Sequence, residues 1–205
     1  MKFLLLPFLL WVVTFAVQAR PVSYPGGWTM ITEHSGDENN ALLHYTVTPT
    51  TAIGYRVAYD RETNTTYNGA QLNYLVKRWN NPGSQANIYL KSSLGVAKDN
   101  LEGFAGLQAD WEDRRFMVMY ESMVMESPDN RRSKFHQEIG LGIAPYVAEF
   151  GALHTWMMFH VMQRPQEEDN WQFQPMLRFF KGTVLVEGGY NVTTHSPAAN
   201  AMIRF

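Results

Sequence analysis

Apolar and polar residues alternate with a period of two along most of this chain. In the run Thr51–Asp60, Ile53, Tyr55, Val57 and Tyr59 fall on one parity, and Gly54, Arg56, Ala58 and Asp60 on the other. Trp171, Phe173, Leu177 and Phe179 oppose Gln172, Gln174, Met176 and Arg178 in the same way, and Val184, Val186 and Tyr190 oppose Glu187 and Asn191. Successive side chains of a strand point to opposite faces, so each run reads as a strand with one greasy and one polar face. A 3.6-residue period is hard to find. The pattern predicts strands over residues 27–34, 40–48, 51–60, 70–79, 86–96, 103–111, 115–126, 134–146, 151–163, 171–181, 183–192 and 199–205. Turn-forming residues separate them, among them Thr48-Pro49-Thr50, Asn80-Asn81-Pro82-Gly83, Ser127-Pro128-Asp129-Asn130 and Lys181-Gly182.

The polar parity is too charged for a soluble core. It carries Arg56, Asp60, Lys77, Lys91, Asp110, Glu121, Glu138, Arg178, Glu187 and Arg204, and lipid would tolerate such groups even less. With the apolar parity facing hydrocarbon, these charges line a lumen. Arg78 breaks the pattern and is expected to snorkel from a strand end. Tyr45, Tyr59, Trp111, Trp171 and Phe205 lie near strand ends, where interfacial aromatics belong. The expected fold is all-β, a closed antiparallel up-and-down transmembrane β-barrel of about 12 strands, with roughly 8 or 10 as fallbacks. A soluble β-sandwich would alternate as well. The connections at 35–39, 61–69, 97–102, 127–133, 163–170 and 193–199 are polar and longer, and those at 48–50, 112–114, 147–151 and 181–182 look tight. Long loops are therefore expected on one side, outside the cell, with tight turns on the other.

The N-terminus explains how such a chain reaches a membrane. Lys2 precedes an apolar core over residues 3–15, and Val17-Gln18-Ala19 suits cleavage before Arg20. The expected division is a cleaved secretory signal peptide over 1–19, a lead-in over 20–26 and the barrel over 27–205. Residues 21–27, with two Pro and two Gly, read as an extended periplasmic lead-in or a short plug. The chain has no cysteine, which removes disulfides, lipid attachment and thiolate chemistry. Past the leader, 186 residues carry 16 basic and 19 acidic groups, a balance that gives no sign of nucleic-acid binding.

Leader, alternation and the terminal Phe205 together resemble the small outer-membrane β-barrel proteins of Gram-negative bacteria, over the whole mature chain. The resemblance implies a Gram-negative outer-membrane location with lipid and lipopolysaccharide around the barrel. It also implies that Phe205 is the signal read by the barrel-assembly machinery. It names no specific family and supplies no activity.

Methionine and histidine are the candidate chemistry. Met117, Met119, Met123 and Met125 share a parity with Glu121; His154, Met158, His160 and Met162 share one that opposes Met157 and Phe159; His136 and Glu138 share the inward parity between them. Met30, His34, His44, Met176 and Met202 also fall on the polar side, which leaves Met157 as the lipid-facing methionine. Thioether with imidazole suits Cu(I), and imidazole with carboxylate suits Cu(II) or Zn(II). Weak sites at two-residue spacing would suit conduction of a soft metal ion such as copper, because an ion must enter and also leave. Met117, Met119, Met123, Met125, His136, Glu138, His154, Met158, His160 and Met162 are the candidate metal residues; no cofactor is required.

Methionine as packing in an irregular interior explains the same abundance. A non-selective small porin or a structural barrel is then the alternative, with opposed lumen charges either holding a transverse field or pairing and plugging the lumen. A barrel-embedded lipid hydrolase is the third class. It would need Ser and His together near the lipid boundary, yet Ser122 has lipid parity and no strand histidine shares it. No HExxH, GxSxG or P-loop pattern is present, so no covalent chemistry is implied. The expectation is a barrel that binds or passes a small solute.

Overall fold

In the computed structural model, which describes residues 20–128, 133–149 and 151–205, twelve antiparallel strands close into one barrel. They are β1 (Trp28–His34), β2 (Glu38–Thr48), β3 (Thr51–Asp60), β4 (Thr65–Asn81), β5 (Ser84–Ala97), β6 (Asn100–Asp113), β7 (Phe116–Glu126), β8 (Lys134–Ile143), β9 (His154–Gln163), β10 (Trp171–Lys181), β11 (Val184–Asn191) and β12 (Ser196–Arg204). Each strand pairs with its neighbours in sequence, and β1 pairs with β12. The seam is sealed at the last residue. Trp28 N–H donates to the Phe205 carbonyl at 2.8 Å, and Phe205 N–H donates to the Trp28 carbonyl at 3.0 Å. A closed ladder leaves no edge, which is the condition hydrocarbon sets on any strand that crosses it. The expected leader, 1–19, lies outside the described residues.

The outer face is apolar. Leu72, Tyr74 and Val76 on β4, and Ile139, Leu141 and Ile143 on β8, all point away from the lumen and are exposed. Trp28, Trp79, Trp111 and Phe205 stand outward at the end that carries the chain termini, here the terminal end; Trp171 and Tyr190 stand outward near the opposite end, the mouth. These are two aromatic girdles with an aliphatic belt between them.

Three expectations are corrected. The first concerns Lys77 and Arg78. The β4–β5 register shifts between Leu75 and Lys77, and this bulge inverts the parity that follows. Arg78 therefore turns into the lumen, where its Nε donates to Asn87 Oδ1 at 2.6 Å. Lys77, expected inward, turns out, its ammonium 5.9 Å from the Trp79 ring centroid. The second concerns Met30 and His34. Met30 is 43% exposed beside Trp28, because β1 turns Ile31 and Glu33 to the lumen. His34, expected inward as well, shares the parity of Met30 but stands exposed at the rim, where it borders the cavity mouth, its Nδ1 2.9 Å from Asn39 Oδ1.

The third concerns the loops. β4 runs for 17 residues, and β5 and β6 for 14 each, past the apolar belt. Beyond lipid both strand faces can be polar, so Thr65, Thr66 and Asn68 read as loop in the sequence yet belong to β4. The mouth connections shrink accordingly, to residues 61–64 after β3 and to Lys98-Asp99 after β5. The latter two have φ of 45° and 67°, the two-residue hairpin with positive φ at both positions. At the terminal end, by contrast, the link expected to be tight at 147–151 spans 144–153. Pro145 has no N–H with which to extend the ladder. Tyr146 folds back onto β9, donating from its hydroxyl to the Leu153 carbonyl at 2.9 Å.

The outer belt predicts a depth-dependent penalty. Ile139→Arg, in the middle of β8, should destabilise the barrel by about 2–4 kcal/mol, measured by reversible urea unfolding in lipid vesicles. A cost near zero would contradict the placement of this face in lipid.

Candidate functional site

The lumen contains a cavity of about 320 Å³. It runs from Ser35 and Gln166 in the mouth loops down to Pro21, and its wall includes Met119, Met123, His136 and Met162. Three zones differ in what the strands bring together.

At the terminal end the N-terminal segment lies inside the barrel. Arg20 Nη2 meets Glu112 Oε1 at 2.7 Å, with both side chains buried. Pro21 O accepts from Asn73 Nδ2 at 3.0 Å. Val22 is buried among Ala52, Leu75 and Tyr89. Ser23 N–H donates to Thr46 Oγ1 at 3.2 Å. Beside this segment, Arg78 Nη2 donates to the Tyr89 hydroxyl at 3.2 Å, and Asn87 Nδ2 donates to Asp110 Oδ1 at 2.6 Å. The parity of β6 explains the acidic pair: Asp110 and Glu112 are two residues apart and share the inward face.

In the middle, the wall formed by β7 to β12 is sulfur-rich. Met117, Trp156, Met158 and Met176 form one buried cluster, with Met119 packed against it. Two glycines on β8 make the room. A Cβ on Gly140 would lie 2.5 Å from Met119 Cγ and 3.3 Å from His160 Cε1, and one on Gly142 would lie 2.6 Å from Met158 Sδ. Charge is interleaved with sulfur. Arg178 donates from Nε to Glu187 Oε1 at 2.5 Å and from Nη1 to Met117 Sδ at 3.1 Å. Asn200 Nδ2 completes the Glu187 carboxylate at 3.1 Å. Glu138 sits between two histidines, with its Oε1 2.5 Å from His160 Nδ1 and its Oε2 3.7 Å from His136 Nε2. On the facing wall Lys91 Nζ is 2.5 Å from Glu121 Oε1.

At the mouth, ion pairs reach across the barrel. Lys134 on β8 meets Asp60 on β3 at 3.2 Å, and Arg164 after β9 meets Asp37 before β2 at 2.6 Å. Arg56 pairs with Glu38 at 3.1 Å and lies 5.1 Å from the Phe104 ring centroid.

Of the ten residues expected on a soft-metal path, Met119, Met123, Met125, His136, Glu138, His160 and Met162 line the cavity. Met117 and Met158 belong to the apolar cluster. His154 lies toward the terminal end against Phe180, ring centroids 6.0 Å apart. Among the described residues, no group of three or more His, Asp or Glu is arranged to hold a metal ion. Glu138 is engaged by both histidines, and two thioethers act as acceptors: Met117 from Arg178, and Met176 from Gln174 Nε2 at 3.1 Å. The opposed lumen charges pair with one another, one of the two arrangements open to them. Sequence reasoning missed Arg20, Arg78, Glu112, Lys134 and Arg164. Two of them carried a signal: Glu112 shares the parity of Asp110, and Lys134 that of His136 and Glu138.

Comparison with known proteins places this architecture. Two structures of the KdgM porin, one alone and one in complex with disordered oligogalacturonate, each superpose with a TM-score of 0.55 at 9% identity, covering 87% of this chain and 98% of theirs. The chain has the fold of the outer-membrane β-barrel porins. A loop-deletion mutant of the Vibrio cholerae outer-membrane protein OmpT aligns with a TM-score of 0.34 at 9% identity, over 87% of this chain and 97% of its own, too distant to add to that. No protein-family model matches the chain, and no curated protein matches it by sequence.

The Arg178–Glu187 pair makes a stability prediction. Arg178→Met leaves a buried carboxylate with Asn200 alone and should cost about 3–5 kcal/mol in urea unfolding. Adding Glu187→Leu should recover most of that loss. A single variant as stable as the parent would mean that the pair is not buried.

Proposed function

We propose that this chain is a Gram-negative outer-membrane barrel that admits small polar solutes to its lumen, as a narrow porin. One observation carries the reading: a closed barrel with a greasy exterior encloses a cavity of about 320 Å³, reached from the mouth, whose wall mixes charged and amide groups with methionine. That volume lies at the small end of ligand cavities, roughly 300–1,000 Å³. It suits a solute of one sugar unit or similar size. The terminal end then faces the periplasm and the mouth faces outward, with lipopolysaccharide around the mouth girdle and Phe205 available to the assembly machinery as each barrel is inserted.

The lining also bears on solute charge. Arg56, Lys91, Lys134, Arg164 and Arg178 each already pair with a carboxylate. A polyanion such as the oligogalacturonate bound by the KdgM porin would have to break those pairs and meet their carboxylates. A small uncharged or zwitterionic solute needs no such exchange, because the wall offers it both donors and acceptors. Methionine contributes packing and weak acceptors, which requires no metal.

Proteoliposome swelling tests the reading. A neutral monosaccharide should enter faster than a galacturonate trimer at equal osmolarity, and single openings should appear in planar bilayers. A barrel that gives neither swelling nor openings, with residues 20–23 present or deleted, overturns the channel. Faster entry of the trimer overturns the solute class.

A further inference from the structure

We propose that the terminal end of the barrel is a peptide-binding socket, and that residues 20–23 occupy it as a tethered, displaceable plug. Four consecutive residues each make one contact with the wall. The Arg20 guanidinium lies on Glu112, the Pro21 carbonyl on Asn73, the Val22 side chain among Ala52, Leu75 and Tyr89, and the Ser23 N–H on Thr46 Oγ1. This is how a bound peptide reads: a charge anchor, a main-chain acceptor, an apolar recess and a main-chain donor. The ligand class follows as a short peptide with a cationic first residue and a β-branched apolar third residue.

Two features make the plug displaceable. Every wall group it touches is a side chain, so withdrawal leaves the β-ladder whole. Its surroundings are also polar and incompletely matched. Arg20 Nε, Ser23 Oγ, Thr29 Oγ1, His44 Nε2 and Asp110 Oδ2 are buried without a hydrogen-bond partner, unlike the satisfied polar atoms of a permanent core. The segment joins β1 through Pro25-Gly26-Gly27, and Gly26 has φ of 85°. Such a conformation favours glycine, and it sets the tether's fixed end: Gly26 N–H donates to the Thr46 carbonyl at 2.8 Å and Thr46 N–H donates to the Gly27 carbonyl at 3.0 Å, so residues 20–23 swing from a link held on β2.

Occupancy of the socket does not depend on the channel reading; only the electrical readout rests on it. The chain has no cysteine, so a V22C/A52C pair can report unambiguously. Oxidation should form the disulfide, seen as a gel-mobility shift that dithiothreitol reverses. The oxidised barrel should conduct several-fold less than the reduced one. Deleting residues 20–23 should raise unitary conductance several-fold, and the added peptide Arg-Pro-Val-Ser should block it from the terminal side, while Glu-Pro-Val-Ser should not. Glu112→Gln in the full chain, which keeps the barrel intact should the deletion fail to fold, should raise the open fraction several-fold. Failure of the disulfide to form, or a deletion that conducts like the full chain, overturns the plug. A disulfide that forms in a barrel that never conducts keeps the plug and removes the channel.

Discussion

Closure of the β-ladder between β1 and β12 is the constraint on which the rest depends. In hydrocarbon every backbone N–H and C=O must find a partner within the protein. Twelve strands meet that demand because β1 and β12 pair from Thr29 with Arg204 to His34 with Ala199, with Trp28 and Phe205 exchanging hydrogen bonds at the end of the seam. Once the cylinder is closed, strand parity sorts the charged side chains, and Lys77, turned out by the β4 bulge, is the exception at the terminal end. Groups that lipid excludes go inward, into a space too narrow to hydrate them freely. They pair instead, as Arg178 does with Glu187 and Lys91 with Glu121.

The same constraint accounts for the methionines. The wall of β7 to β12 must fill an irregular space around a buried guanidinium while leaving room for a cavity. A flexible thioether can do both, bending into the recesses over Gly140 and Gly142 and accepting a hydrogen bond from Arg178. The facing wall solves the problem with aromatic and amide side chains, Tyr67, Tyr89, Asn73 and Asn87 among them, all buried. The lumen is therefore asymmetric, soft on one side and rigid on the other.

Much of this was legible in the sequence, because a two-residue period survives in a single chain without any partner to compare it with. The inward placement of Met117, Met119, Met158 and Met162 follows from parity alone. What parity cannot carry is distance around the cylinder: that Arg178 reaches Met117, or Lys134 reaches Asp60, depends on curvature and diameter. Nor does it survive a bulge. Val76 is an ordinary strand residue with no mark of an insertion, yet it turns Arg78 from lipid to lumen. Arg164 and residues 20–23 lie outside the alternating runs, so nothing in the pattern could assign them a side.

The short mouth connections have a consequence for selection by size. A loop folded inward could narrow a bore and be trimmed or lengthened without touching the wall. Here the links after β3 and β5 are too brief to fold inward. The aperture is instead crossed by ion pairs, from strand to strand by Lys134 and Asp60 and from loop to loop by Arg164 and Asp37. Lys134 and Asp60 belong to strands of the ladder, so widening the bore at that bar means changing residues of the wall itself.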